Sequence, residues 1–372
     1  MTSESDLSIS VKSDDSLREL SNVSESILKA DRFCLDACLG FTEVYEESIT
    51  VHGTTLLPGD AVELQGSAMY GDILRIESII HNLAENTYRL RGSLYRRLRY
   101  FEGIFPKKEN EVAQVSKKFD IPSVNQIIQK VKLRLTNRPF PEARDLGDDI
   151  LVCRWKYDEQ SDPQTKEVVI QHLTENEADT GYRISDNIMW ERWRNHNRNK
   201  VSNNDYTLGD TFSGAGGVTC GALMAGINVK WCVELCDRAC DTFELNSPAT
   251  QIYTMGVDGF VDIAKGYHQV DILHVSPVCK TFSAAHTRPC ANDERNEATL
   301  FAVRNLADKA RPRIITVEQT VGLPQRHKSH YYSLIQQLTD LGFSLRAATL
   351  NFAHYGVTQE RKRLIIIASW YV

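Results

Sequence analysis

Three short stretches concentrate the side chains able to do covalent chemistry. "HVSPVCKTFSAAH" (274–286) sets Cys279 between an apolar run and a Phe-Ser turn, and "RIITVEQT" (313–320) carries Glu318 near the end of a second apolar run. "TQERKR" (358–363) supplies Arg361 and Arg363 two residues apart, a spacing that puts both on one face of a strand. A thiolate is the nucleophilic form of cysteine and nearby cations favour it; a guanidinium also holds a carbonyl or phosphate. Each feature has a plainer reading. Most cysteines are small buried hydrophobes, a lone carboxylate at a strand end is usually solvated, and Arg-x-Arg usually marks a surface face. Only their conjunction points to a nucleophile, an acid and a cation pair around one cleft.

A fourth stretch, "GDTFSGAGGVTCGALMAG" (209–226), follows an apolar strand and opens a helix. Gly214, Gly216 and Gly217 let backbone approach a ligand closely, because no Cβ intervenes. A dinucleotide fingerprint fails here, with Thr219 where the third glycine belongs, and the Gly-Lys-Ser/Thr of a P-loop is absent. The next strand ends on Glu234, about twenty residues on, where a carboxylate accepts from two ribose hydroxyls. The ligand implied is nucleotide-like without a phosphate cradle, and S-adenosylmethionine fits that description.

The elements that must position these groups are legible in outline. After residue 206, strand-like and helix-like runs alternate: "YTLGDTF", the glycine turn and a helix, "NVKWCVEL", a helix, "VDILHVSP", a long helix, "RIITVEQT", a helix, "RLIIIASW". Such alternation implies a parallel sheet with crossover helices and ligands at the carboxyl ends of the strands. Residues 47–175 read instead as short β-branched and aromatic runs punctuated by Gly, Pro, Asn and Asp, a small β-rich domain. Residues 1–46 read as an acidic, serine-rich tail with a short helix carrying Cys34 and Cys38. Residues 176–205, ending in "NHNRNKVSNND", read as a linker. The fold class expected is therefore α/β, a Rossmann-like sheet at 206–372 preceded by a β-rich domain.

In their order and spacing, "DTFSGAGG", "VEL", "SPVCKTFSAAHT", "VEQT" and "TQERKR" resemble the DNA cytosine-5 methyltransferases. The resemblance implies S-adenosylmethionine as cofactor, DNA as partner and a cytosine extruded from the duplex, because a stacked base hides its C5 and C6. It implies Cys279 as nucleophile at C6, Glu318 as the partner of N3, Arg361 and Arg363 as supports of the flipped base, and Ser283 and Gln359 as further supports. For the cofactor it implies Asp210, Phe212, Ser213, Gly214, Gly216, Gly217, Glu234, Leu235, Asp258 and Pro277. Phe212 would lie against the adenine, Glu234 would hold the ribose, and Asp258 would reach the adenine amino group. No metal is implied, and the run Cys232, Cys236, Cys240 reads as core packing.

Two departures stand out. The family's Pro-Pro-Cys-Gln is Pro277-Val278-Cys279-Lys280 here, and its Glu-Asn-Val is Glu318-Gln319-Thr320. The second variant is similar to the fungal RID-type enzymes, which implies a nuclear protein of DNA methylation and silencing. "LPGDAVEL", "ILRIESIIHN" and "KKENEVAQV" resemble a bromo-adjacent homology domain, implying histone or chromatin partners; another small β-barrel remains the alternative. The chain stops before the family's target-recognition region and last two motifs. That leaves open a noncatalytic chromatin protein, and a tRNA cytosine-5 methyltransferase is the other alternative.

Bulk properties narrow the field. A length of 372 residues favours two domains. The net charge of −6 argues against a protein that coats nucleic acid, though not against a local basic cleft. Nine cysteines, an odd number without a tight framework, fit reduced thiols inside a cell. No apolar stretch suffices for a membrane span, and the N-terminus has no signal core. "YRLRGSLYRRLRYF" (88–101) interleaves arginines with tyrosines, as a nucleic-acid groove does, but an exposed strand face is the reading preferred.

Overall fold

The computed structural model describes residues 42–65, 71–106, 108–138, 149–160, 167–189, 191, 206–282 and 293–370. The Cys34/Cys38 segment, Ser283 and residues 192–205 of the expected linker lie outside that set.

The N-terminal half is built from β1 (Glu43–Glu46), β2 (Ile49–Val51), β3 (Thr54–Leu56), β4 (Ala61–Leu64), β5 (Ile73–Asn82), β6 (Thr87–Arg97), β7 (Glu111–Ile121), β8 (Ile127–Leu135), β9 (Ile150–Gln160) and β10 (Glu167–His172). Strands β7, β6, β5, β4 and β8 follow one another, and β9 pairs with both β7 and β8. The sheet thus closes on itself, which removes its edges. Val62, Leu64, Leu74, Ile76, Ile79, Leu90 and Ile121 fill the interior. The arginine-tyrosine face of β6 is tied up internally. Arg89 pairs with Glu43, Arg91 with Asp120, Arg96 with Asp72 and Arg97 with Glu63, and all four are partly buried where an exposed face was expected. Strand β1 pairs with β5, because Val44 and Tyr45 extend the alternation into residues expected to be tail. Residues 178–184 likewise pack on the barrel: Asn137 brackets Ile184, its side-chain amide meeting both the N–H and the carbonyl.

The C-terminal half contains β11 (Thr207–Thr211), α1 (Gly217–Met224), β12 (Asn228–Glu234), α2 (Asp237–Asn246), β13 (Gln251–Thr254), α3 (Val257–Ile263), β14 (Ile272–Val275), α4 (Asp293–Ala298), α5 (Ala302–Ala310), β15 (Ile314–Thr320), α6 (Gly322–Arg326), α7 (Lys328–Asp340), β16 (Phe343–Asn351) and β17 (Lys362–Trp370). The strand order is β13-β12-β11-β14-β15-β17-β16, continued through β10 into the barrel. The molecule is therefore α/β, with a Rossmann-like sheet preceded by a β-rich unit. Helices α1 and α2 cover one face through Leu208, Ala222, Val229, Cys232 and Phe243. Helices α3, α5 and α7 cover the other through Phe260, Val303, Leu306, Leu334 and Leu338.

Two expectations need correcting. The sheet is not all parallel: β17 runs antiparallel to both β15 and β16. Strand β16 was not foreseen, because "FSLRAATLN" mixes polar and apolar residues and only its first half faces a core. The expected long helix after β14 is α4, a 3-10 turn over Thr299–Phe301, and α5.

The two halves share one core. Barrel residues Phe101, Phe105 and Trp155 belong to the same apolar cluster as Leu334, Phe343 and Leu345. The hydroxyl of Thr339 donates to the Ile104 carbonyl at 2.9 Å. Among the described residues no helix is long and apolar enough to cross a membrane.

Candidate active site

Cys279 stands in the loop leaving β14, and this loop is held from two neighbouring strands. On the β11 side, the Thr211 carbonyl accepts from the Ser276 N–H at 3.4 Å, and the Thr211 hydroxyl donates to the His274 carbonyl at 2.8 Å. On the β15 side, fully buried Gln319 donates its side-chain amide to the Pro277 carbonyl at 2.7 Å. The loop then turns back, with the Phe282 N–H donating to the Cys279 carbonyl at 3.1 Å. The Phe282 ring is fully buried and meets His327 edge-on at 5.2 Å. Gly322, just past β15, is required by this packing: a Cβ there would lie 2.0 Å from the Phe282 carbonyl oxygen. Cys279 itself is half-buried.

Glu318 lies on the neighbouring strand, and its two oxygens are engaged differently. The Ser276 hydroxyl donates to Oε2 at 2.9 Å. Arg363 Nε lies 2.7 Å from Oε1, and an Arg361 terminal nitrogen lies 3.7 Å from the same atom. In the antiparallel register Thr320 faces Arg363 and Glu318 faces Ile365, so alternation puts Glu318 and Arg363 on one face. Arg361 precedes β17 and its side chain is 45% exposed, against 19% for Arg363. Gln359 is exposed and makes no side-chain hydrogen bond among the described residues.

The glycine turn forms the adjoining end of the cleft. Asp210 ends β11 fully buried, accepting from the Thr219 hydroxyl of α1 at 2.7 Å. Burial pushes its carboxyl up to about 7, although hydrogen bonds from Thr219 pull the other way. Phe212 turns the chain in the left-handed region at φ 58°, a conformation rare for a bulky residue and found where surrounding structure over-determines it. Gly216 (φ 91°) is forced as well, since a Cβ would sit 2.8 Å from the Phe243 ring. Gly217 has open space around it and simply begins α1. Glu234 is the hub of the turn. Its Oε2 accepts from the Gly214 N–H at 2.8 Å, and its Oε1 accepts from the N–H groups of Leu235 and Cys236, both at 2.8 Å. Leu235 is 55% exposed beside it. Asp258 lies in the first turn of α3, exposed and away from these bonds.

Six buried polar atoms without a hydrogen-bond partner lie here among the described residues: Asp210 Oδ1, Ser213 Oγ, His274 Nε2, Thr320 Oγ1, and Glu318 Oε1 and Arg363 Nε, which meet as an ion pair and not in hydrogen-bond geometry. Native interiors leave few such atoms, and each calls for an explanation. Burial also pushes His274 down to about 4. Of the cysteine run, Cys232 and Cys240 are core, but Cys236 is exposed at the start of α2, a correction to the expectation that all three pack inside. Sequence reasoning missed Ser276, Gln319 and Gly322 as parts of the site. All three stand inside or beside the quoted motifs, but nothing in their residue types announces a cross-strand contact.

Comparison with known proteins adds to this geometry. The type II methyltransferase M.Eco47II of Escherichia coli is 32% identical over 171 residues, 45% of this chain and 40% of that protein. DNA (cytosine-5)-methyltransferase 1 of Mus musculus is 28% identical over 176 residues, 43% of this chain and 11% of the mouse protein. Among solved structures, the yeast Rsc2 BAH domain aligns at 15% identity and TM-score 0.27, covering 35% of this chain and 55% of that one. The chain thus spans about 40% of the length of the type II relatives from E. coli and Staphylococcus aureus that it matches. Residues 206–369 match the family model described as C-5 cytosine-specific DNA methylase.

Proposed function

We propose that residues 206–369 form the catalytic core of an S-adenosylmethionine-dependent DNA cytosine-5 methyltransferase. One observation carries the reading: the loop of Cys279 and the strand of Glu318 are neighbours tied by two side-chain hydrogen bonds, Ser276 to Glu318 and Gln319 to Pro277, with Arg363 and Arg361 beside the acid.

The residues present fit the cofactor. Glu234 fixes the glycine turn with three accepted hydrogen bonds and keeps one acceptor position, on Oε2, for a ribose hydroxyl; the Ser213 hydroxyl is buried without a partner, and exposed Leu235 offers apolar surface to an adenine. Bound there, S-adenosylmethionine supplies an electrophilic methyl group. The protein's part is to make cytosine C5 nucleophilic, which the aromatic ring alone is not. The Cys279 thiolate adds to C6, forming an S–C6 bond, while Glu318 holds a proton at N3 to receive the displaced electron pair. Arg363 and Arg361, both beside Oε1 of the acid, hold the base. After C5 is methylated, its proton leaves and the S–C6 bond breaks, returning the thiolate and an aromatic ring. The target base must leave the duplex, at a cost of about a few kcal/mol.

The Glu318-Gln319-Thr320 variant extends the proposal to a RID-type enzyme of fungal silencing, acting in the nucleus. The closed N-terminal barrel then serves as a bromo-adjacent-homology-like module for histone or other chromatin proteins. A duplex carrying 5-fluorocytosine tests the core reading, because fluorine at C5 blocks release. With labelled cofactor, the protein is expected to yield a covalent adduct that vanishes in Cys279→Ser; no adduct with the unaltered protein overturns it.

A further inference from the structure

We infer that Ser276 is a positioning residue that sets the orientation of the Glu318 carboxyl toward its substrate. The inference rests on the methyltransferase reading and deepens it. Ser276 is the first residue after β14 and Glu318 lies inside β15, and their side chains meet at 2.9 Å across the two strands.

A carboxyl group rotates about its last torsion over a broad, two-fold well. The two arginines constrain only Oε1, from one side. Arg361, 45% exposed, holds the acid loosely because its side chain is long and solvated, and Arg363, though less exposed, meets the same oxygen and leaves Oε2 to others. The Ser276 hydroxyl fixes Oε2 from the opposite strand. Its own backbone is pinned by the Thr211 carbonyl and by the proline that follows, with Pro277 buried. The donor is therefore short, rigid and partly shielded from water. It removes the rotation that would turn the acid away from the base ring.

The contact pairs with a reciprocal one. Ser276 reaches from the nucleophile's strand to the acid, and Gln319 reaches from the acid's strand to the nucleophile's loop. Gln319 fixes where the loop lies; Ser276 fixes which way the carboxyl points. Losing the first moves Cys279, whereas losing the second leaves Cys279 in place and disorders only the acid.

The test is single-turnover adduct formation on the 5-fluorocytosine duplex with Ser276→Ala, Ser276→Thr and the unaltered protein, alongside dissociation constants for duplex and S-adenosylhomocysteine. Ser276→Ala is expected to slow adduct formation roughly tenfold, the loss one hydrogen bond to a charged group carries, with both dissociation constants unchanged. Ser276→Thr keeps the hydroxyl and is expected to restore the rate. A second duplex carries pyrimidin-2-one at the target position. Without the electron-donating amino group its C6 needs less help from the acid, so the Ser276→Ala defect is expected to shrink. An equal defect on both bases, or equal failure of alanine and threonine variants, overturns the role. Absence of any adduct with the unaltered protein has a different signature and removes the methyltransferase reading, and this inference with it.

Discussion

The barrel and the cleft handle buried polarity in opposite ways. In the barrel, ionic side chains close on one another: Asp72 is buried but bound by Arg96, and Glu177 receives both Lys117 and Lys156. The barrel too has buried atoms without a partner, Gln126 Oε1 and the Nε of Arg89, Arg97, Arg134 and Arg138, but each of these guanidiniums bonds through another nitrogen, Arg89 and Arg97 to a carboxylate and Arg134 and Arg138 to a backbone carbonyl. Along the carboxyl ends of β11, β14 and β15, by contrast, a carboxyl oxygen, two hydroxyls and an imidazole nitrogen are buried with nothing to bond. An unsatisfied buried polar group costs about 1–3 kcal/mol, so such a cluster persists where a ligand completes it. The barrel's charged groups are largely completed from within the chain. The cleft is built for something to enter.

The sharpest way to break that contrast is at Gly322. A methyl group there collides with the Phe282 carbonyl, and two backbone segments cannot both give way. Gly322→Ala is expected to displace the Cys279 loop while the sheet beneath survives. Misplacing a reacting group by about 1 Å can cost on the order of a hundredfold in rate. Adduct formation is therefore expected to fall at least that far, with the far-ultraviolet circular dichroism retained. A rate within a few fold of the unaltered protein sinks the loop geometry.

A smaller effect is expected at Gln319. Gln319→Ala strips the Pro277 carbonyl of its donor in a fully buried setting, at about 1–3 kcal/mol. Urea denaturation should show that loss, and adduct formation should slow with it. An equivalent truncation in the barrel, Ser93→Ala beside exposed Glu77, leaves an acceptor that water can reach and should cost less.

The comparison also has a pH signature. Asp210 is raised by burial to about 7 from an ordinary 3.8. Its folded form holds a proton that the unfolded chain has shed, so stability present below pH 3.8 is lost as pH rises toward 7. His274, on the adjacent strand, is lowered by burial to about 4 from 6.5, and its contribution runs the other way, present above pH 6.5 and lost as pH falls to 4. The two oppose each other over pH 4–6.5. Asp210→Asn should therefore unmask a rise in stability with pH across that window, read from denaturation midpoints at several pH values. Glu177 in the barrel is lowered to about 2: burial works upward, but hydrogen bonds from Lys156, Thr174 and Lys117 outweigh it. Its contribution is present above pH 4.5 and lost as pH falls toward 2, so Glu177→Gln should alter the slope only at the acid end of that window and leave it unchanged above about pH 5.5.

How much of this was legible depended on whether a feature is local. The glycine turn, Glu234 at the end of β12 and Cys279 after β14 follow from spacing within one strand-turn-helix unit, and the sequence shows them directly. The barrel's strands were visible as alternation, but its closure was not, because β9 pairing with both β7 and β8 is decided by contacts far apart in sequence. Strand β16 was missed for a similar reason: its polar Ser344 is buried against His172 of β10, 172 residues away, while Arg346 is exposed. The Ser276–Glu318 contact spans 42 residues, and serine before proline is too common a pair to signal it. Asp258, named from resemblance, is exposed in the first turn of α3.

The smallest expected effect lies on the barrel surface and bounds the contrast from below. Arg89 bridges Glu43 at 2.8 Å and Asp120 at 3.7 Å, with all three side chains between 35% and 43% exposed. Ion pairs so wet gain little, because water screens them and two long side chains lose freedom in forming them; about 0.2–1 kcal/mol is typical. Glu43→Gln should stay within that range, and the loss should shrink further in 1 M salt, where the screening length is about 3 Å. Adduct formation should not change at all. A loss well above 1 kcal/mol would mean that β1 depends on this pair for its place on β5, and that the barrel's surface charge is structural after all. A slowed reaction would mean something stronger: that strain at β5 reaches the cleft through the core where Phe101, Phe105 and Trp155 meet Leu334 and Phe343. In that case the two regions could no longer be treated as one largely completed part and one open part, because the completed part would be helping to hold the other open.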